Sequence, residues 1–335
     1  MFSFIEGKRY NSFVGYYRRV YGERLQKIVI DAGFTCPNRD GTLGTGGCTY
    51  CDNAAFHPGY SVPGKTLRQQ IDEGIEFHKA RYRKAGHYLA YFQSYSNTYA
   101  DIGKLRELYL EALSHPSVVG IVIGTRPDCV DARKLDMIAD IRSGTLLPDP
   151  HWTRTVGEKE LRAPVVTVEY GIESCYDTTL KRINRGHDFS CAAEAVRMTA
   201  ERGLDTGAHF ILGLPGETRE MLLRQTDTIN SLPLRSVKFH QLQIVKGTAM
   251  EREFAGNPGE FFRPGLDGYL DFIIDILELL RPDLYIERIA GEVPPRFVND
   301  TPWGLVRNFE LLRMLDSRLE ARDTWQGRKY ISAVP

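Results

Sequence analysis

The chain has 335 residues, 42% of them hydrophobic and 26% charged, proportions ordinary for a globular protein and a length sufficient to bury a sizeable core. Its 43 basic and 43 acidic residues cancel, so bulk charge neither demands nor excludes a nucleic-acid partner. No apolar run approaches the roughly 20 residues that cross a bilayer, Met1 to Tyr10 lacks a signal-peptide core, and the six cysteines do not resemble a secreted disulfide framework, so a reducing cytoplasmic location without membrane attachment is expected.

Residues 1–26 are read as a basic, aromatic N-terminal extension. Lys8, Arg9, Arg18, Arg19, Arg24 and Lys27 stand among Tyr10, Phe13, Tyr16, Tyr17 and Tyr21. Cations neutralise phosphates and aromatic rings stack on unpaired bases, which makes this a candidate RNA-contacting segment. The alternative is an amphipathic cover whose tyrosines pack on the body of the protein. A strand over 27–34 leads into a loop at 35–56, followed by a helix over 66–84. The basic run Lys79, Arg81, Arg83 and Lys84 falls at the end of that helix, where cations complement the dipole.

Strands over 88–93 and 117–124 alternate with helices over 102–114 and 132–142. A loop or short hairpin is expected within 143–161. The alternation resumes with strands over 165–173, 206–212 and 236–245 and helices over 191–202 and 218–231. Six strand-helix units predict one α/β domain over 27–248 with a parallel sheet, doubly wound or curled into a barrel. Residues 249–335 form a C-terminal α/β extension packed on it, with helices over 266–280 and 304–318 and a strand over 284–289.

In such folds chemistry gathers at the C-terminal ends of the strands. After the first strand comes Cys36-Pro-Asn-Arg-Asp-Gly-Thr-Leu-Gly-Thr-Gly-Gly-Cys48-Thr-Tyr-Cys51. Three thiolates brought together by a glycine-rich loop suit a metal or iron-sulfur cluster, and three ligands leave one position open for chemistry. A zinc-stabilised nucleic-acid-binding protein without catalysis is the competing reading, with His57 as fourth ligand. Gln93 to Thr98, Gly124 to Asp128, Glu169 to Ser174, Gly213 to Glu217 and Lys246 to Thr248 end the other strands. Period-two alternation puts Thr167, Glu169, Gly171 and Glu173 on one face, the interior of a barrel.

His209 and His240, on the fifth and sixth strands, either face a substrate as proton shuttles or are hydrogen-bonded core histidines. Arg126 either meets an anion or pairs with Asp128. Lys238 and Lys246 are anion partners or rim charges, and Glu217 complements a helix dipole. Cys129 and Cys191 need no role beyond small buried side chains. Cys175, just after the fourth strand, is a candidate hydrogen donor to a substrate radical.

The cysteine loop resembles that of radical S-adenosylmethionine (SAM) enzymes, although its eleven-then-two spacing departs from the commoner three-then-two. Together with Gly-Gly-Cys48-Thr-Tyr-Cys51, Tyr91-Phe-Gln-Ser-Tyr-Ser-Asn-Thr-Tyr99, Gly124-Thr-Arg-Pro-Asp-Cys129, Ile183-Asn-Arg-Gly-His-Asp188 and Lys238-Phe-His240, it is similar to the YhcC/YtqA-like family over residues 8–320. That family is related to the elongator catalytic subunit, which modifies wobble uridine in tRNA, but the chain has no room for that subunit's acetyltransferase domain.

The resemblance implies a partial (β/α)6 TIM-type barrel with terminal extensions. It also implies a 4Fe-4S cluster on Cys36, Cys48 and Cys51, and reductive cleavage of SAM to a 5'-deoxyadenosyl radical with electrons from a donor such as flavodoxin or ferredoxin. Gly213, Pro215 and Gly216 match the motif beside the SAM adenine, and Glu169, Gly171 and Glu173 the segment approaching its ribose. Gln93, Ser94 and Asn97 stand where the usual Gly-Gly-Glu binds the methionine amine, with Arg126 a further cofactor contact. Cys175, His209 and His240 are the candidate catalytic residues. The implied substrate is tRNA; a small metabolite is the alternative.

Overall fold

A computed structural model describes residues 4, 7–52, 55, 58–62, 64–81, 86–299, 303–304 and 306–332. His57, Arg83 and Lys84 lie outside them. In chain order the elements are α1 (Phe13–Tyr21), β1 (Gln26–Ile30), α2 (Leu67–Arg81), β2 (Tyr88–Phe92), α3 (Ile102–Ser114), β3 (Val118–Thr125) and α4 (Ala132–Ser143). Then come the strands β4 (Arg154–Val156), β5 (Lys159–Leu161) and β6 (Val165–Glu173), followed by α5 (Asp177–Arg182), α6 (Phe189–Glu201), β7 (Asp205–Leu212), α7 (Arg219–Ser231) and β8 (Ser236–Gln241). The chain closes with α8 (Ala249–Gly256), α9 (Leu266–Leu279), β9 (Tyr285–Arg288) and α10 (Asn308–Ala321).

Seven parallel strands form one curled sheet in the order β1-β2-β3-β6-β7-β8-β9. The expected partial barrel is present, and β9 of the C-terminal segment extends its sheet to a seventh strand. The expected hairpin is the antiparallel β4-β5 pair. Strand β3, Val-Val-Gly-Ile-Val-Ile-Gly-Thr, is buried at every position, as a parallel strand covered on both faces requires. The helices start on side-chain caps: Asp101 opens α3, Asp131 α4, Asp188 α6 and Thr218 α7, each accepting a backbone N–H of the first turn.

Two strand ends and two short helices stand out against the sequence reading. β1 ends at Ile30 rather than residue 34, because Gly33 takes φ +74° and turns the chain toward the cysteine loop. β8 ends at Gln241; the chain beyond it leaves the sheet, and Val245 bridges antiparallel to Val298. The short helices α5 and α8 carry too few turns for a periodic signal and were not expected.

Helix α1 covers the β9 edge. Ser12 caps the helix and bridges to Ile286 of β9, while Phe13, Tyr16 and Tyr285 form one aromatic cluster. Where β3 meets β6, Gly120 is required by packing, since a Cβ there would fall 2.1 Å from the Val165 carbonyl oxygen. Gly120→Ala is therefore expected to cost about 2 kcal/mol or more, read as a lowered denaturation midpoint; an unchanged midpoint would contradict this account of the β3-β6 contact.

Candidate active site

The three loop cysteines, Cys36, Cys48 and Cys51, line a single cavity at the C-terminal ends of the strands. Their loop is fastened by Ile183 and Asn184, distant in sequence, a loop closure that local patterning does not reveal. The Thr49 N–H donates to the Ile183 carbonyl (3.0 Å), and Asn184 Nδ2 donates to the Gly47 carbonyl (2.8 Å). In return Asn38 Nδ2 donates to the Asn184 carbonyl. Gly47 takes φ +72°, and a Cβ there would meet Arg39 Nε at 2.8 Å, so only glycine lets the arginine lie across the loop.

Three guanidinium groups share the cavity wall with the thiols. Arg39 donates to the Cys51 carbonyl (2.5 Å). Arg185, buried, directs Nη1 to Cys48 Sγ (3.5 Å) and Nη2 to the Gly171 carbonyl (2.5 Å). Arg126, also buried, holds Asp128 in a bidentate pair through Nε (2.9 Å) and Nη2 (2.6 Å), while its Nη1 is buried without a hydrogen-bond partner among the described residues. Soft thiolates ringed by fixed cations make a donor set suited to an anionic iron-sulfur cluster. Among the described residues no three His, Cys, Asp or Glu side chains gather as a site for one metal ion.

The floor of the cavity is ionic. Glu169, 1% exposed, accepts from Lys27 Nζ (2.5 Å), Lys238 Nζ (2.5 Å) and His209 Nε2 (3.0 Å). Both lysines also reach Glu287, at 2.5 and 3.0 Å, and Lys238 contacts the Tyr91 hydroxyl at 3.2 Å. Gly207, facing Glu169 across the β6-β7 pair, leaves room for that side chain. Burial pushes the Glu169 carboxyl up, but Lys238 and Lys27, with the His209 hydrogen bond, outweigh it and hold the group well below the usual carboxylate range. Burial and then Lys238 lower His209, against the pull of Glu169.

Other expected site residues divide. Gln93, Arg126, Glu169, Gly171, Glu173, His209 and His240 line the cavity with the cysteines. Glu173 does so with φ +72°, at a register shift between β6 and β7. Asn97 does not line it; its amide donates to the Gly124 carbonyl (2.8 Å), a tie between strand ends. Ser94 is buried off the wall. Gly213, Pro215 and Gly216 also stand outside the cavity lining. A Cβ on Gly213 would fall 2.4 Å from the Phe262 carbonyl oxygen, and the Gly216 N–H donates to the Glu260 carbonyl (2.8 Å), so this turn docks the segment after α8.

Cys175 is likewise absent from the cavity wall. It lies beside buried Glu217, which is bonded to Ser174 and pushed up to about 7 by burial, and that environment raises the thiol as well. Lys246 is an exposed rim charge. In the N-terminal segment Lys27 is corrected outright: it points into the ionic floor rather than toward a partner. Lys8 pairs with Asp316, Arg9 with Asp323 (3.0 Å), and Arg19 bonds Tyr285; Arg18 and Arg19 are exposed.

Residues 41–225 match the family model of the radical SAM superfamily, and residues 234–321 that of the radical SAM C-terminal domain. YtqA of Bacillus subtilis is 33% identical over 327 residues, covering 96% of this chain and 92% of its own length. The chain belongs to the radical SAM superfamily, in the YtqA/YhcC-like family. YhcC of Escherichia coli is 33% identical, with 85% of this chain and 84% of YhcC covered. A protein of Dehalococcoides mccartyi named tRNA uridine(34) acetyltransferase is 28% identical over 54% of this chain and 35% of its own. The solved structure of Elp3 from the archaeon Methanocaldococcus infernus has the same fold, with a TM-score of 0.61 at 16% identity, covering 90% of this chain and 64% of that one.

Membership of this enzyme superfamily implies SAM and an iron-sulfur cluster. Among the described residues no helix is long and apolar enough to cross a membrane. The sequence reading of this radical SAM enzyme missed Arg39 and Arg185 as cavity residues, although both sit inside quoted motifs. Their signal was an arginine next to a glycine-rich turn; only the tertiary fold shows that it faces the thiols.

Glu169→Gln would leave buried Lys238 and partly buried Lys27 sharing one carboxylate, and is expected to destabilise the protein by about 3–5 kcal/mol at neutral pH. The folded carboxyl lies below its unfolded value, so its contribution is complete above about pH 4.3 and is lost as acid protonates it. The gap between wild type and variant in denaturant melts should therefore shrink as pH falls below about 4; a gap independent of pH would show that charge at Glu169 does not set it.

Proposed function

We propose that Cys36, Cys48 and Cys51 hold a 4Fe-4S cluster, that SAM binds beside it in the cavity, and that the enzyme abstracts hydrogen from a tRNA wobble uridine. The observation that carries the cofactor reading is that three thiols and three arginines line one cavity of the half-barrel. When bound, the cluster supplies the electron that cleaves SAM, drawn from a low-potential donor such as flavodoxin or ferredoxin in the cytoplasm.

The chain's own groups have separable tasks. Arg185 and Asn38 aim N–H groups at Cys48 Sγ, at 3.5 and 3.7 Å, and such bonds stabilise the electron-rich thiolate. Arg126 presents the unpartnered Nη1 as a donor for a carboxylate such as that of SAM. Gln93 and Glu173 offer polar groups for the SAM amine and ribose. Glu169 fixes the His209 ring, leaving His209 to hold or pass a proton at its other nitrogen. The aromatic and apolar Tyr50, Ile211 and Leu242 exclude water from the same space.

The tRNA part of the reading is supported by the relative named for uridine 34 of tRNA and by the outward Arg18 and Arg19. Anaerobic reconstitution tests the cofactor part. A brown protein with about four irons per chain, which cleaves SAM under a low-potential reductant and loses most of its iron in Cys51→Ala, is expected. A colourless protein holding one zinc would contradict it. Nucleoside analysis tests the substrate: tRNA from a deletion strain should lack one modified wobble nucleoside, and an unchanged nucleoside profile would contradict a tRNA substrate.

A further inference from the structure

The same cavity is lined by residues of β7, β8, β9 and the turn after β9. His240 lies here, its ring centroid 5.6 Å from that of His209. Its Nε2 is buried and has no hydrogen-bond partner among the described residues. Gln241 clamps the turn by two bonds to Gly291, donating to its carbonyl (2.9 Å) and accepting its N–H (2.7 Å). Gly291 in turn leaves the space His240 needs, since a Cβ there would sit 3.0 Å from His240 Nδ1. Burial, followed by Arg288, His209 and Lys238, holds His240 well below the ordinary imidazole range, against Glu169. The ring is therefore neutral, a hydrogen-bonding group rather than a charge.

Two residues at the mouth add a different chemistry. Arg288, at the end of β9, is exposed, lines the cavity and makes no hydrogen bond or ion pair among the described residues. Its neighbour Glu287 is committed to the lysines of the floor, so that carboxylate is already engaged. On the cysteine side Tyr95 lines the same cavity with 39% of its surface exposed and with φ +59°. A bulky side chain rarely adopts that left-handed conformation, which is costly and concentrates at functional sites. An unburied ring held at such a cost gains nothing from core packing.

We propose that the mouth of the cavity is a nucleotide subsite, in which Tyr95 stacks on the base, Arg288 binds the phosphate and the inner His240 hydrogen-bonds a polar edge of the same unit. Exposed aromatic, free cation and unpartnered ring nitrogen are the three elements that recognise an unpaired nucleotide. The inference rests on the reading above that SAM binds beside the thiols, and it assigns the mouth of the cavity to one nucleotide of the substrate. The C-terminal segment thereby supplies a specificity element, Arg288, to a site whose cofactor residues come from the rest of the sheet.

Calorimetric titration of the reconstituted, SAM-loaded enzyme with uridine 5'-monophosphate tests this, with uridine and inorganic phosphate as comparators. Binding of the monophosphate alongside SAM is expected, and tighter binding than of either fragment. Tyr95→Asn and Arg288→Ala should each weaken it about tenfold or more, while Lys246→Ala, a rim cation outside the cavity, should not. Asparagine tolerates the left-handed conformation, so Tyr95→Asn should melt no lower than wild type; a lower melting temperature would assign Tyr95 a structural role and overturn the stacking. No binding of the monophosphate, its displacement by SAM, inorganic phosphate binding as tightly, or full affinity in either variant would also overturn the proposal. Failure of the protein to take up iron would sink the cofactor reading instead, and titration of the iron-free chain would still report on the subsite.

Discussion

Everything at the centre of this protein hangs on one buried carboxylate. Glu169 in the middle of the sheet accepts from Lys27 on β1 and Lys238 on β8, and the same lysines reach Glu287 on β9. β1 and β9 are opposite edges of a seven-stranded sheet, so a flat sheet would keep them far apart. Only a strongly curled sheet brings Lys27 and Glu287 within hydrogen-bond distance, and the ion network rewards that curl. Two lysines against two glutamates satisfy the charge, which a desolvated interior demands. An interior filled with leucine and isoleucine would be easier to stabilise, but it would leave no floor for a polar cavity.

Above that floor, charge is distributed with opposite purposes. The thiol end carries Arg39, Arg126 and Arg185, whose fixed positions suit an anionic group in a low-dielectric pocket. None of the three is free to collapse: Arg39 lies over Gly47, Arg126 is braced by Asp128, and Arg185 by the Gly171 carbonyl. The same lining also carries His240 and solvent-facing Arg288. The N-terminal helix, whose tyrosines suggested RNA stacking, instead seals the barrel. Tyr17 is buried near Glu287 and Glu169, and Phe13 lies 5.3 Å beneath Lys27 Nζ. Of the two readings of that segment, the packing one describes its aromatic residues.

Much of the architecture was legible because strand and helix alternate with strong apolar periodicity. β3, α3 and β6 fall within a residue of their expected limits, since each is long and buried in a regular pattern. The interior face of β6 was also readable, because period two fixes which side chains point inward. What the sequence withheld was long-range. Lys27 looked like one more surface cation, and only the closing of the sheet shows where it points. Asn97 and the Gly213 to Glu217 turn carry residue types suited to ligand binding, yet they are spent on tying strand ends and docking the segment after α8. Arg185 clamps a loop that lies far upstream in the chain, a relation with no local signal.

The central claim is that the three thiolates leave one iron of a cluster open to SAM inside this cavity. Electron paramagnetic resonance of the reduced, reconstituted protein, recorded with and without SAM, examines that open position directly. Direct ligation by SAM predicts a spectrum of a 4Fe-4S centre whose g values shift when SAM is added and stay unchanged when buffer without SAM is added. A cluster signal identical in the presence and absence of saturating SAM would contradict the account.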